Sequence, residues 1–283
     1  HAAMSLLRGY ADDLPLQEWL ENKMWPMEGQ FTADTVRAGT QLAVVEMLKS
    51  GTTCFVDMYD HMHVVAEVVE EAGIRAVLAR GVIGLCSEEE QKRKLEEAVQ
   101  FCQDWHLKAD GRITTMMSPH APYTCPPDYI RRIVDKAVEL DLPIHIHLSE
   151  TAREVEQNVQ DYGKRPVAHL RDLGVFSRPT LVAHAVHINE EEIEIFKEYG
   201  VKISHNPASN LKLGSGIAPI AKYIEHGLRP AIGTDSAASN NNLDMFQEVR
   251  LAALIHKGAQ QNPTFVPADT ALKMGTSWGA EAV

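Results

Sequence analysis

Ile144-His145-Ile146-His147-Leu148-Ser149-Glu150 reads as a short apolar strand ending in groups that can bind a cation or move a proton. Residues two apart on a strand share a face, so His145 and His147 point the same way, and either or both can serve as a ligand. Three more apolar runs end alike: Val182-Ala183-His184, Ile203-Ser204-His205-Asn206-Pro207 and Ile232-Gly233-Thr234-Asp235-Ser236. In a parallel barrel the carboxyl ends of different strands open on one mouth, so groups distant in sequence can gather round one ion. The pattern predicts metal-assisted hydrolysis.

The rest of the chain fits that frame. Strand-like runs at Thr52–Met58, Ile74–Arg80, Ile113–Ser118, Leu142–Leu148, Thr180–His184, Val201–His205 and Arg229–Thr234 alternate with amphipathic segments. The latter include Thr35–Lys49, Glu88–Trp105, Pro127–Glu139, Glu190–Tyr199 and Ile217–His226. In Pro127–Glu139 the apolar Ile130, Ile133, Val134 and Ala137 recur at helical spacing. Gly51, Gly73, Gly200 and Gly227 each follow a helical run and precede a strand, as left-handed helix ends require. Alternation with short connections means parallel βα units. The fold class is therefore α/β, with seven strands of a TIM-type (β/α)8 barrel and an eighth expected to end at His1. An open doubly wound sheet is the alternative, but no glycine-rich phosphate fingerprint follows an early strand.

The chain has 283 residues, 45% of them hydrophobic and 23% charged, enough to bury one large core. A formal charge of −12 argues against a phosphate-binding surface for nucleic acid. No apolar stretch approaches the roughly 20 residues that cross a bilayer. Cys54, Cys86, Cys102 and Cys125 form no C-x-x-C pair and read as reduced thiols, which suggests a cytoplasmic protein. His1 opens directly on a loop with no strand before it, so the chain is expected to be a single barrel domain truncated at both ends, part of a longer protein.

Roles follow for the strand-end groups. His147 lies nearer the strand end than His145, which also reads as an interior residue one layer lower. Asp235 follows a glycine at the last strand; beside a divalent cation it can bind the ion and accept a proton from water, since an unpaired buried carboxylate is costly. His184 suits polarisation of the attacking water, and His205 reads as support. Glu150 is the proton carrier by elimination, because a carboxyl in a dry pocket can shuttle a proton near neutrality.

Several segments together resemble the amidohydrolase superfamily, and within it the 5-methylthioadenosine/S-adenosylhomocysteine deaminases. They are His1-Ala-Ala-Met-Ser-Leu-Leu-Arg-Gly9, Ser118-Pro-His-Ala-Pro-Tyr123, His147-Leu-Ser-Glu150, Ser204-His-Asn-Pro-Ala-Ser-Asn-Leu-Lys-Leu-Gly214 and Gly233-Thr-Asp-Ser-Ala-Ala-Ser-Asn240. The resemblance implies one divalent ion, usually zinc, held by His1, His147 and Asp235, with a further ligand two residues upstream of His1. Iron or manganese suits such ligands equally. It implies Glu150 as proton shuttle and His184 as the water-polarising histidine. It also implies Trp19 lining a nucleoside pocket, Glu28 on both ribose hydroxyls, His120 at the purine N3, and Arg80 with Lys94 on an amino-acid carboxylate. Lys94 stands where the family has arginine, with Arg93 adjacent, and lysine lacks the bidentate fork.

The activity so implied is hydrolytic deamination of adenine nucleosides at C6, giving the inosine analogue and ammonia. A triazine-type chlorohydrolase or another aromatic-ring aminohydrolase is the alternative on the same site. The expected partner is a small nucleoside, with no nucleic acid and no membrane; a homo-oligomer stays open.

Overall fold

The computed structural model describes residues 1–283. Its strands are β1 (Cys54–Tyr59), β2 (Arg75–Val82), β3 (Ile113–Thr115), β4 (Ser118–Pro119), β5 (Ile144–Leu148), β6 (Thr180–His184), β7 (Lys202–His205) and β8 (Ala231–Ile232). One parallel sheet runs β1-β2-β3 with β4 also on β2; a second runs β5-β6-β7-β8. A parallel bridge between Met117 and Ile144 joins them. Apart from β3 and β4, which follow one another directly, each strand is followed by a helix, so the crossovers are βα units.

Each of the seven strand-like runs read from sequence is present, and the differences lie at the ends. The run Ile113–Ser118 divides into β3 and β4 around Met116 and Met117. Pro143 and Pro230 have no N–H to give a ladder, and the strands after them begin at Ile144 and Ala231. The helices Glu88–Trp105, Pro127–Glu139 and Glu190–Tyr199 keep the expected bounds, whereas the Ile217–His226 segment is helical only over Ile220–Glu225, after Pro219. Asn189 caps one helix by a reciprocal capping box with Glu192. Gly51, Gly73, Gly200 and Gly227 all take positive φ.

A core cluster of 54 buried residues packs helices against the outer face of the strands. Two smaller clusters occupy the inner face: Val77, Ala79 and Met116, and Leu181, Ala231 and Ala282. Val56 of β1 packs against both clusters. The residues of β5 are buried on both faces, as a parallel strand between helices and an inner core must be. No helix is long and apolar enough to cross a membrane.

The amino-terminal segment is pinned from below. Asp57, buried on β1, accepts the Ala2 N–H at 3.1 Å, which helps fix where His1 enters the site. The 3-10 helix Ala2–Leu7 then lies against the helix Ala33–Lys49, and Ser5 Oγ donates to the Gly39 carbonyl at 2.6 Å. The approach is so close that a Cβ on Gly39 would lie 2.4 Å from the Ala3 carbonyl oxygen. Gly39→Ala therefore gains about 1 kcal/mol of helix propensity but forces two backbones apart, an overpacking that costs about 1–3 kcal/mol. The overlap wins, because neither partner is a side chain that can swing away. Thermal or denaturant unfolding of Gly39→Ala is expected to show a net loss of stability; an equal or higher midpoint would contradict the packing described.

Candidate active site

The strand ends open on one cavity of about 270 Å³. His1, Trp19, Glu28, Arg80, Lys94, His120, His147, Glu150, His184 and Asp235 all line it, so these ten residues singled out from sequence share one space. His145 does not line it. Its Nδ1 lies 3.0 Å from the Leu181 carbonyl, one layer down inside the strands. Arg93 faces a neighbouring cleft instead, pairing with Glu90 and Glu97.

The imidazoles crowd around His147. Its ring centroid is 5.5 Å from His1, 5.5 Å from His184 and 4.8 Å from His120. His147 Nδ1 lies 2.8 Å from the His120 carbonyl, which can only accept, so Nδ1 carries the hydrogen and Nε2 keeps a free lone pair. Burial, reinforced by the surrounding imidazoles, holds His147 well below the usual histidine pKa and hence neutral. His120 is likewise lowered to about 3, chiefly by burial.

Asp235 is the anionic counterpart. Burial pushes its carboxyl up, but His1, His184 and hydrogen bonds from Ser239 and Ser209 outweigh this and hold it at about 2. Both hydroxyls donate to Oδ2 at 2.7 Å. A neutral imidazole with a free nitrogen and an ionised carboxylate are the protonation states a divalent cation requires. In donor chemistry, His147 and Asp235 therefore fit the expected metal. The site's His, Asp and Glu side chains converge without closing: no three stand close enough to form a metal-holding group as placed.

Glu150 and His184 form a second pair. His184 Nε2 lies 3.6 Å from Glu150 Oε2, while Nδ1 lies 2.8 Å from Asn210 Oδ1. The amide oxygen accepts, so Nδ1 is protonated and Nε2 faces the cavity. Burial raises the Glu150 carboxyl and Asp235 adds to this, against the pull of His184 and the Ser215 hydroxyl. For His184 burial acts downward, yet the charges of Glu150 and Asp235 prevail and the pKa rises. Ser149, His184, Ala185 and Asp235 all adopt positive φ. Such conformations are uncommon outside glycine and gather where surrounding structure overrides local preference.

The outer end of the cavity is apolar and charged in patches. Trp19 belongs to the cluster of Met4, Leu7, Ala11, Leu16, Leu20, Met24, Leu213 and Ala238, with its indole N–H on the Ala11 carbonyl at 3.1 Å. Trp19 is therefore both a core residue and a wall of the cavity. Glu28 sits near Tyr59 and His1; burial raises its carboxyl and those two neighbours oppose the rise. Arg80 is engaged by Glu97 at 3.1 Å and Asp60 at 3.4 Å. Lys94 Nζ points at the Ile83 carbonyl, 3.3 Å away.

Sequence reading missed several participants. Tyr59 ends β1, Asp60 follows it, and both line the cavity; the strand-end rule that found His184 would have found them. Tyr123 lines it too, three residues after His120. Glu154 had no such signal: it sits on a helix, yet its carboxylate accepts the N–H groups of Ser149 at 2.7 Å and Glu150 at 2.9 Å. His205 faces away from the cavity toward His256, Nε2 to Nε2 at 3.1 Å.

A sequence profile of the Amidohydrolase family matches residues 1–283. The 5-methylthioadenosine/S-adenosylhomocysteine deaminase of Halalkalibacterium halodurans is 54% identical over 286 residues, covering 100% of this chain and 65% of the relative. The chain thus spans slightly less than two thirds of that relative's length. A crystal structure of an adenosine deaminase from Xanthomonas campestris with bound zinc superposes with a TM-score of 0.92 at 39% identity, covering 100% of this chain and 64% of that one. A triazine hydrolase from Arthrobacter aurescens also gives a TM-score of 0.92, at 25% identity over 100% of this chain and 68% of its own.

The loop that carries Glu150 depends on Glu154. Glu154→Ala leaves two buried N–H groups without an acceptor, and each such orphan costs about 1–3 kcal/mol. Denaturant unfolding is expected to show a loss of about 2 kcal/mol or more. A variant within experimental error of the parent protein would show that the loop is held by other means.

Proposed function

The chain belongs to the amidohydrolase family, and from that premise we propose that its cavity catalyses hydrolytic deamination of adenine nucleosides carrying a 5′-thio substituent. Methylthioadenosine and S-adenosylhomocysteine are the substrates in view. The observation that carries the reading is the meeting of ion-binding, proton-carrying and ribose-binding candidates in one cavity, together with 54% identity to a relative of that name. The proposal includes a closed (β/α)8 barrel completed by a strand ahead of His1, supported by the packing of Val56 against both inner clusters and by the relatives' greater length. A cytoplasmic setting is part of it, in keeping with four cysteines that form no disulfide.

His1, His147 and Asp235 would hold one divalent cation, zinc by analogy with the zinc-bound neighbour. When bound, such an ion acidifies water toward a pKa of about 7. Glu150 takes a proton from the attacking water and passes it to the ring nitrogen beside C6. His184, held by Asn210, orients that water through Nε2. As the C6–N bond breaks, Asp235 accepts the remaining water proton for delivery to the departing ammonia. Glu28 accepts from both ribose hydroxyls, His120 reaches N3, and Trp19 lines the nucleoside pocket. A carboxylate tail reaching Arg80 would share it with Glu97 and Asp60.

Ammonia release from methylthioadenosine and S-adenosylhomocysteine tests the reading. Indifference to both, with turnover of guanine or a triazine, rejects it. Two charge-assisted hydrogen bonds to ribose hydroxyls imply that Glu28→Gln lowers kcat/KM for ribonucleosides about 10–100-fold and leaves a ribose-free ring unchanged. Equal losses on both would remove Glu28 from ribose recognition.

The pH profile gives a separate check. Glu150 must be ionised to take the first proton, and burial shifts its pKa upward. Activity is therefore present at neutral pH and lost as pH falls, with an acid limb above the pKa of an ordinary glutamate. Glu150→Gln should cost about 10²–10⁴-fold in kcat. An acid limb at or below the ordinary glutamate pKa would contradict the assignment.

A further inference from the structure

Glu248 lies outside the cavity and is only 1% exposed, on the helix Met245–Ala259. Its Oε2 accepts the Ala208 N–H at 3.2 Å and its Oε1 accepts Asn240 Nδ2 at 2.7 Å. Each partner adjoins a serine that matters. Ser209 follows Ala208 and Ser239 precedes Asn240, and these are the two hydroxyls that donate to Asp235 Oδ2. Asn240 Nδ2 also donates to the Thr234 carbonyl at 2.7 Å, directly before Asp235 in the chain. One buried carboxylate thus grips both segments that grip Asp235, and reaches the backbone of Asp235 through Asn240.

A buried carboxylate held by neutral donors is an expensive way to fill space. Its special property is that both oxygens accept. Glutamine in its place would turn an NH₂ group toward an existing donor and release one of the two segments. Asp235 needs such restraint, since its φ of 56° is a conformation that most non-glycine residues avoid. With Oδ2 taken by two hydroxyls, Oδ1 is left for the cavity.

We propose that Glu248 is the positioning residue for Asp235, clamping Ser209 and Ser239 onto Oδ2 so that the carboxylate presents one fixed oxygen to the divalent cation. This rests on the metal reading of the preceding subsection. Outer partners that orient a metal ligand set affinity and rate by about 10–100-fold.

The test compares Glu248→Gln with the parent protein, reading zinc affinity by chelator competition and kcat separately from KM. Zinc binding should weaken by about 10–100-fold, with kcat falling in proportion, KM little changed and the circular dichroism spectrum retained. Asn240→Ala releases one side of the clamp and should give a smaller loss of the same kind; it decides the matter if Glu248→Gln does not fold. Unchanged zinc affinity and kcat in the folded variants overturn this proposal alone. A parent protein that takes up no divalent ion overturns the metal reading, and this one with it.

Discussion

An ionised carboxylate buried among imidazoles is the constraint on which the site depends. Asp235 is half-buried in the cavity wall, and a charge so placed is tolerable only when hydrogen bonds and opposite charge replace the hydration it loses. Ser209 and Ser239 supply the hydrogen bonds; His1 and His184 supply positive potential. A divalent cation would meet the same need more fully. His147 shows the complementary arrangement, a neutral ring whose hydrogen is committed to a backbone carbonyl so that its other nitrogen stays free. The parallel fold brings these groups together because strand ends far apart in sequence share one mouth.

That mouth is assembled in layers. The strands place His147, His184 and Asp235, and local backbone at positive φ turns the chain so that the side chains face inward. Around them runs a shell of polar residues that never touch the cavity's contents: Asn210 behind His184, Glu154 behind the Ser149–Glu150 loop, Glu248 and Asn240 behind Asp235. Uncommon backbone conformations persist only where neighbours over-determine them, and here the neighbours are hydrogen-bonded rather than merely packed.

The strands and the cavity's inner groups were legible in sequence for a physical reason. A buried parallel strand must be apolar on both faces, so a histidine or aspartate at its end stands out against its own segment. Glycine at positive φ marked the helix ends equally well. Glu154 and Glu248 were not legible, because a glutamate on an amphipathic helix looks the same whether it faces solvent or a buried N–H. Trp19 and Glu28 were selected only through resemblance; composition and spacing make the first a core residue and the second a surface one. Proline explains the trimmed strands at Pro143 and Pro230, a signal present in the sequence and readable in advance.

The central claim is that side chains from separate strand ends share one ion. X-ray absorption or anomalous diffraction on the zinc-loaded protein measures this directly. The account requires His147 Nε2 and an Asp235 carboxylate oxygen in the same coordination sphere, each about 2.0–2.2 Å from the metal. A metal bound elsewhere, or a sphere that contains one of these two residues without the other, would contradict it.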